Sequence, residues 1–182
     1  MIYVMLAKGF EEIEALTVVD VLRRAGLPTE TVSVEDKPMV TGAHGITVTA
    51  DRLSSQCGDR RDMEAVVLPG GMPGTLFLEQ SAFVQDTLEL AVRENKVIAA
   101  ICAAPSILGH KGLLKGKRAA SYPDFEKDLI GAEVVRDPAV WDGNILTSCG
   151  PGTALNFALA LAARFVGTEQ ADLIKGAMQC AR

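Results

Sequence analysis

The chain has 182 residues and a formal net charge of −5, with 48% hydrophobic and 23% charged residues. That balance excludes a disordered chain, which carries too few aliphatic residues to bury a core. The length suits one domain, residues 1–182, that needs no disulfide staples. Lys and Arg are outnumbered 18 to 23 and form no long run, so specific nucleic-acid binding is not expected. The longest apolar run, at 154–163, is too short for the ~20 residues that cross a bilayer, so no membrane partner is expected either. Met1-Ile2-Tyr3-Val4 opens with strand-like residues and no basic segment, which points to the cytoplasm. Cys57, Cys102, Cys149 and Cys180 have no CxxC or Cys/His metal spacing and are expected as free thiols there.

In chain order, short β-rich runs lie at 2–6, 31–34, 46–49, 65–68, 97–101 and 145–147. Between them fall helical stretches at 11–25, 81–94, 103–108 and 152–165, with a last one from Glu169 on. Strand–helix alternation predicts an α/β layer fold with a mostly parallel sheet. Residues 65–68 and 97–101 are apolar at every position, as strands covered on both faces are. Residues 38–51, turning at Gly42–Gly45, predict a small antiparallel hairpin, and the polar stretch 54–62 a surface connection. The first helix is apolar at Ala15, Leu16, Val18, Val19, Val21 and Leu22, with a narrow polar stripe of Thr17, Asp20 and Arg24. A face that wide predicts either a deep core position or a second surface such as another subunit. The helix after Pro151 is apolar nearly all round and is expected to be central.

The strongest chemical signal is Val97-Ile98-Ala99-Ala100-Ile101-Cys102-Ala103-Ala104-Pro105. A buried strand runs into a cysteine, then into small residues and a helix start, the logic of a nucleophile elbow with Cys in the place of Ser. Free N–H groups and the positive helix end there stabilise a thiolate, so a lowered thiol pKa is expected. An inert buried cysteine at a strand end is the plainer alternative. Leu68-Pro69-Gly70-Gly71 ends another buried strand, and parallel strands bring their carboxyl ends to one edge. The N–H groups of Gly71 and Ala103 would then form an oxyanion hole beside Cys102, although a plain strand-to-helix turn explains the glycines equally well. Glu11, Glu12 and Glu14 open the first helix, where carboxylates suit the macrodipole without any catalysis. One of them would reach the thiol, and the helical wheel does not decide which. Cys149, in Ser148-Cys149-Gly150-Pro151-Gly152-Thr153, lies at the same edge as a second thiol or a structural residue. The two histidines, His44 in the hairpin and His110 two turns beyond the elbow, make poor partners for Cys102. Tyr122, at a strand end, is placed to face the site, but a phenol is a poor base at neutral pH.

Taken together, Leu6-Ala7-Lys8-Gly9-Phe10-Glu11-Glu12-Ile13-Glu14, Leu68-Pro69-Gly70-Gly71, Ala99-Ala100-Ile101-Cys102-Ala103-Ala104-Pro105 and Gly150-Pro151-Gly152-Thr153 resemble the ThiJ/PfpI superfamily, in its deglycase branch. The resemblance implies a flavodoxin-like three-layer α/β sandwich and a homodimer. It implies Cys102 as an oxidisable nucleophile, Glu14 as the carboxyl bonded to its sulfur, and Gly71 and Ala103 as backbone donors. Glu11, Gly70, Tyr122 and Cys149 complete the expected pocket. A His is common in the family where Tyr122 stands, and an Arg where Cys149 stands.

Three functions follow as expectations. The first is a glyoxalase III-type or deglycase enzyme, needing no metal and no cofactor. It acts on methylglyoxal and glyoxal, or on glycated proteins and nucleotides, through a Cys102 hemithioacetal. The second is a redox-sensing stress protein or chaperone switched by Cys102 oxidation. The third, a cysteine peptidase or amidase, lacks the histidine it needs beside the thiol.

Overall fold

The computed structural model describes residues 1–180. Its strands are β1 (Ile2–Leu6), β2 (Thr29–Ser33), β3 (Met39–Thr41), β4 (Thr47–Thr49), β5 (Arg52–Leu53), β6 (Ala65–Leu68), β7 (Val97–Ile101), β8 (Arg118–Ala119), β9 (Glu133–Val134), β10 (Val140–Asp142) and β11 (Ile145–Ser148). The helices are α1 (Glu12–Arg24), α2 (Gly74–Gln80), α3 (Ala82–Arg93), α4 (Pro105–His110), α5 (Ala154–Val166) and α6 (Thr168–Ala177). Seven strands form one sheet in the order β10-β11-β7-β6-β1-β2-β5, and every pair but β10–β11 is parallel.

Strands buried on both faces split their side chains between two cores by the two-residue period. Ile2, Val4 and Leu6, Ala65 and Val67, and Val97, Ala99 and Ile101 face the layer of α1 and α5. Tyr3 and Met5, Val66 and Leu68, and Ile98 and Ala100 face the layer of α3 and α4. This is the expected flavodoxin-like α/β sandwich. The hairpin is present as β3 paired antiparallel with β4.

From β1 the chain crosses to β2 on one side, whereas β6 leads to β7 and then β11 on the other. The strand order thus switches between β1 and β6, and the crevice at their carboxyl ends is where open α/β sheets hold their chemistry. The segments after β1, β6, β7 and β11 all reach that edge.

Several boundaries and placements differ from the sequence reading. The second strand begins two residues earlier, at Thr29, and Ile46 stands outside β4 with half its surface exposed. The short elements β5, β8, β9, β10 and α2 carry too few periodic residues to register in sequence. Cys57, in the polar stretch 54–62, is buried and its thiol donates to the Leu53 carbonyl at 3.5 Å.

The helix after Pro151 is not central. α5 buries Ala154, Phe157, Ala158, Leu161 and Ala162, while Leu155, Leu159, Ala160 and Ala163 line a groove shared with α6. Its alanines let it lie close to α1, which explains much of α1's apolar surplus within the chain itself. On α1 the outward stripe nevertheless begins with Ile13 and Leu16, which are exposed, before Asp20 and Arg24.

Candidate active site

Cys102 follows β7 with φ +65°, the left-handed region that side chains seldom occupy. Two backbone hydrogen bonds hold that conformation: Cys102 N donates to Ser148 O at 3.0 Å, and Tyr122 N donates to Cys102 O at 2.8 Å. The turn lifts the side chain off the strand line at the carboxyl edge, where it is only half-buried. Ala103 and Ala104, which have almost no exposed surface, leave room for the tight passage into α4.

The loop after β1 starts α1 at the same edge. Glu14 lies on the inner face of the first turn, with Ala15 and Val18, and is completely buried. Gly70 N donates to Glu14 Oε2 at 2.7 Å, and Glu11 N donates to Gly70 O at 2.9 Å. Glu14 Oε1 is buried with no donor of its own. The side chain that meets this carboxyl is the Cys102 thiol. Gly70 is a glycine for lack of space: a Cβ there would lie 2.7 Å from Cys102 Cβ and 2.9 Å from Glu14 Oε2. Gly71 has φ +90°, and a Cβ on it would collide with the backbone of Gly9, Phe10 and Glu11.

Burial pushes the Glu14 carboxyl up to about 7, against the opposing pull of the Gly70 N–H and the Cys102 thiol. Burial, followed by the charge of Glu14, pushes the Cys102 thiol up to about 12. This reverses the lowered thiol that the elbow context predicts. The N–H groups of Ala103 and Gly71 do point at the sulfur and pull its pKa down, but they do not outweigh desolvation beside a carboxylate. The repulsion exists only while Glu14 is ionised. A protonated Glu14 donates to the sulfur, so the two groups exchange one proton as a coupled pair.

Of the three helix-start carboxylates, Glu14 alone is tied to the Gly70 loop. Glu12 turns to the hairpin, where Oε1 accepts from His44 N at 2.8 Å and Oε2 meets His44 Nδ1 at 2.8 Å. Glu11, also buried, lies with its carboxylate 3.5 Å from the same ring nitrogen. Among the described residues these three make the one cluster of metal-ligating side chains, with ligand atoms within 4.8 Å of one another. Glu12 already has a donor on each oxygen there, so the cluster reads as a clamp of the hairpin onto α1.

The other expected pocket residues are divided. Tyr122 is 43% exposed, and its ring edge stands over Gly150 beside the thiol. Cys149 turns its sulfur toward the Asp137 carbonyl at 3.7 Å. Burial and the charge of Glu126 raise its thiol, although Arg136 opposes them. His110 pairs with Glu79 at 2.6 Å, so both histidines are engaged with carboxylates. Ser148 and Thr153, which sequence reasoning passed over, fix the Gly150 turn: their hydroxyls lie 2.6 Å apart, and Thr153 Oγ1 accepts from Gly150 N at 3.1 Å. A serine ending a buried strand five residues before a threonine was the available signal.

Residues 1–164 match the model of the DJ-1/PfpI family. The chain belongs to that family. It is 37% identical over 174 residues to Protein DJ-1 homolog A of Arabidopsis thaliana, covering 94% of this chain and 44% of that protein. The chain therefore spans less than half the length of that plant relative. A deglycase of Pyrococcus abyssi is 34% identical over 157 residues, covering 83% of this chain and 90% of the relative. The structure of oxidized Toxoplasma gondii DJ-1 superposes with a TM-score of 0.94 at 36% identity, covering 100% of this chain and 98% of that one. Family membership thus includes a relative named for deglycase activity. Among the described residues, no helix of this family member is long and apolar enough to cross a membrane.

Proposed function

We propose that this chain is a cofactor-independent enzyme of reactive dicarbonyls, with Cys102 as nucleophile and Glu14 as proton carrier. The observation that carries the reading is the buried Glu14 carboxyl, anchored by Gly70 N at 2.7 Å and in contact with the Cys102 thiol. A carboxyl whose pKa is pushed up to about 7 both gives and takes a proton near neutral pH.

With methylglyoxal, the Cys102 sulfur bonds to the aldehyde carbon while the carbonyl electrons move to oxygen. The Gly71 and Ala103 N–H groups meet the developing oxyanion. Glu14 receives the thiol proton and returns it as the hydrogen on the first carbon moves, by way of an enediol, to the second. The aldehyde carbon is oxidised to a thioester and the ketone carbon reduced to an alcohol, so no external oxidant or reductant is consumed. Water then releases lactate and restores the thiol. Glyoxal gives glycolate by the same steps, and early glycation adducts on proteins or nucleotides feed the same reaction by releasing the free dicarbonyl they were formed from.

The test incubates wild type, Cys102→Ala and Glu14→Gln with methylglyoxal in the absence of glutathione and counts lactate per subunit. Many turnovers in wild type, lost in Cys102→Ala, support the enzyme. At most one equivalent consumed, with no lactate, overturns it.

A redox-switch role is favoured by a different observation. Cys102 is only half-buried, and Glu14 in its protonated form would donate to an oxidised sulfur. The related Toxoplasma gondii protein was solved oxidized. The peptidase reading lacks a base: the groups that meet the Cys102 sulfur are Glu14 and the N–H groups of Ala103 and Gly71, and neither histidine is among them. We also infer a homodimer through the exposed Ile13, Leu16 and Ile46, with the chain working as one domain in the cytoplasm.

A further inference from the structure

Most glycines in the site are explained by backbone conformation or by backbone crowding. Gly150 is explained by neither. Its φ of 161° and ψ of −167° describe extended backbone that any residue adopts. A Cβ built on it would meet only two heavy atoms within 4 Å, Tyr122 Cδ2 at 3.4 Å and Cys102 Sγ at 4.0 Å. Both are ordinary van der Waals distances, so an alanine fits here. What the glycine leaves is open space between the sulfur and the edge of an aromatic ring.

That space is held in place from behind. Gly150 N donates to Thr153 Oγ1 at 3.1 Å, and Gly150 O accepts from Thr153 N at 2.9 Å. The Thr153 hydroxyl is in turn fixed 2.6 Å from Ser148 Oγ, whose own proton goes to Pro138 O at 2.6 Å. On the other wall, Tyr122 N donates to Cys102 O at 2.8 Å, so the residue bearing the ring is anchored to the residue bearing the sulfur. The gap is therefore bounded by the Cys102 sulfur, the hydrogen-bonded Gly150 backbone and the edge of the Tyr122 ring.

We infer that the empty side-chain position of Gly150 is the slot that receives the carbon substituent of the substrate, with Tyr122 as its wall. Gly150 and Tyr122 are then specificity-determining residues. A carbon within bonding approach of the sulfur on this side lies in the gap, and the group it carries rests against the Tyr122 ring. The slot admits small, unbranched 2-oxoaldehydes. A methyl group added at Gly150 competes directly with the methyl of methylglyoxal and much less with the hydrogen that glyoxal carries in its place.

This inference rests on the proposed dicarbonyl reaction for its substrate but not for its test. Cys102 is alkylated with iodoacetamide and with the bulkier N-ethylmaleimide in wild type, Gly150→Ala, Tyr122→Ala and Gly152→Ala. Alkylation is followed by mass, and glyoxal and methylglyoxal turnover is measured alongside. Gly152 has nothing within 4 Å of its Cβ position and serves as the control in the same loop. Gly150→Ala is expected to slow N-ethylmaleimide at least tenfold and iodoacetamide less, and to lower kcat/KM for methylglyoxal at least tenfold more than for glyoxal. Tyr122→Ala is expected to speed the bulky reagent, and Gly152→Ala to behave as wild type. A Gly150→Ala protein with the wild-type unfolding midpoint and wild-type selectivity in both assays overturns the slot. If wild type turns over neither dicarbonyl, the proposed reaction fails and the alkylation rates alone decide the slot.

Discussion

The Glu14 carboxyl and the Cys102 thiol face each other across a site in which only one of them readily carries charge. Glu14 has no exposed surface, and its Oε1 has no donor unless a proton is shared with the sulfur. Two residues 88 positions apart in sequence thus form a single titrating unit.

The burial of Glu14 makes stability depend on pH in a defined direction. The Glu14 carboxyl rises from about 4.5 to about 7 on folding. The native state therefore holds a proton that the unfolded chain releases between those values. Its stabilising effect is complete below about pH 4.5 and is lost as pH rises through about 7. At 1.36 kcal/mol per pKa unit the loss is ~3 kcal/mol. Glu14→Gln carries no such proton, so relative to wild type it gains stability by that order between pH 4.5 and 8. Urea unfolding midpoints at several pH values measure the difference, and parallel curves for the two proteins would remove Glu14 as the buried acid.

Backbone strain at Cys102 gives a second expectation. At φ +65° a side chain crowds the adjoining carbonyl, and only glycine escapes that cost. Glycine is ordinarily less stable than alanine inside a fold. Here Cys102→Gly is expected to be more stable than Cys102→Ala by ~1 kcal/mol. The reverse order in equilibrium unfolding would show that the elbow relaxes once the sulfur is gone.

Glu12 is a structural carboxylate. Burial pushes its pKa up, but donors from His44 and Ile46 more than offset this and leave the group below its ordinary value. Glu12→Ala removes the acceptor for His44 N, at 2.8 Å, and for Ile46 N, at 3.4 Å. Amide hydrogen exchange at His44 and Ile46 is expected to quicken at least tenfold, with the amides of β7 unchanged. Uniform quickening across the chain would instead mean that the clamp supports the whole fold.

The outward face of α1 supplies a test of assembly. Ile13 is 55% exposed and Ile46 54%, and the two line one depression with Pro151 and the Glu11, Glu12 and His44 cluster, while Leu16, 38% exposed, lies three residues further along α1. Ile13→Asp places a charge in that depression and is expected to convert a dimer to a monomer in sedimentation analysis. Cys102 alkylation in the monomer reports whether assembly also shields the thiol. A wild-type protein that sediments as a monomer at micromolar concentration ends this expectation.

Residue types and their order determined the layers of this protein. Two runs apolar at every position, at 65–68 and 97–101, named buried parallel strands, because only strands covered on both faces dispense with polar alternation. The same order placed Cys102, Gly70 and Gly71 at strand ends, and hence at one edge. Short elements such as β5 and β8, each of two residues, offered no period to read.

Tertiary structure decided the rest, since it depends on what each group finds opposite it. Three glutamates at a helix start look alike in sequence. Only the placement of the Gly70 loop separates Glu14, tied to Gly70 N and beside the sulfur, from Glu12, which clamps the hairpin. The thiol's environment followed the same rule. Helix-start N–H groups argue for a low pKa, yet burial beside a carboxyl raises it to about 12. Desolvation is a property of all the atoms around a group, and no local run of residues records it.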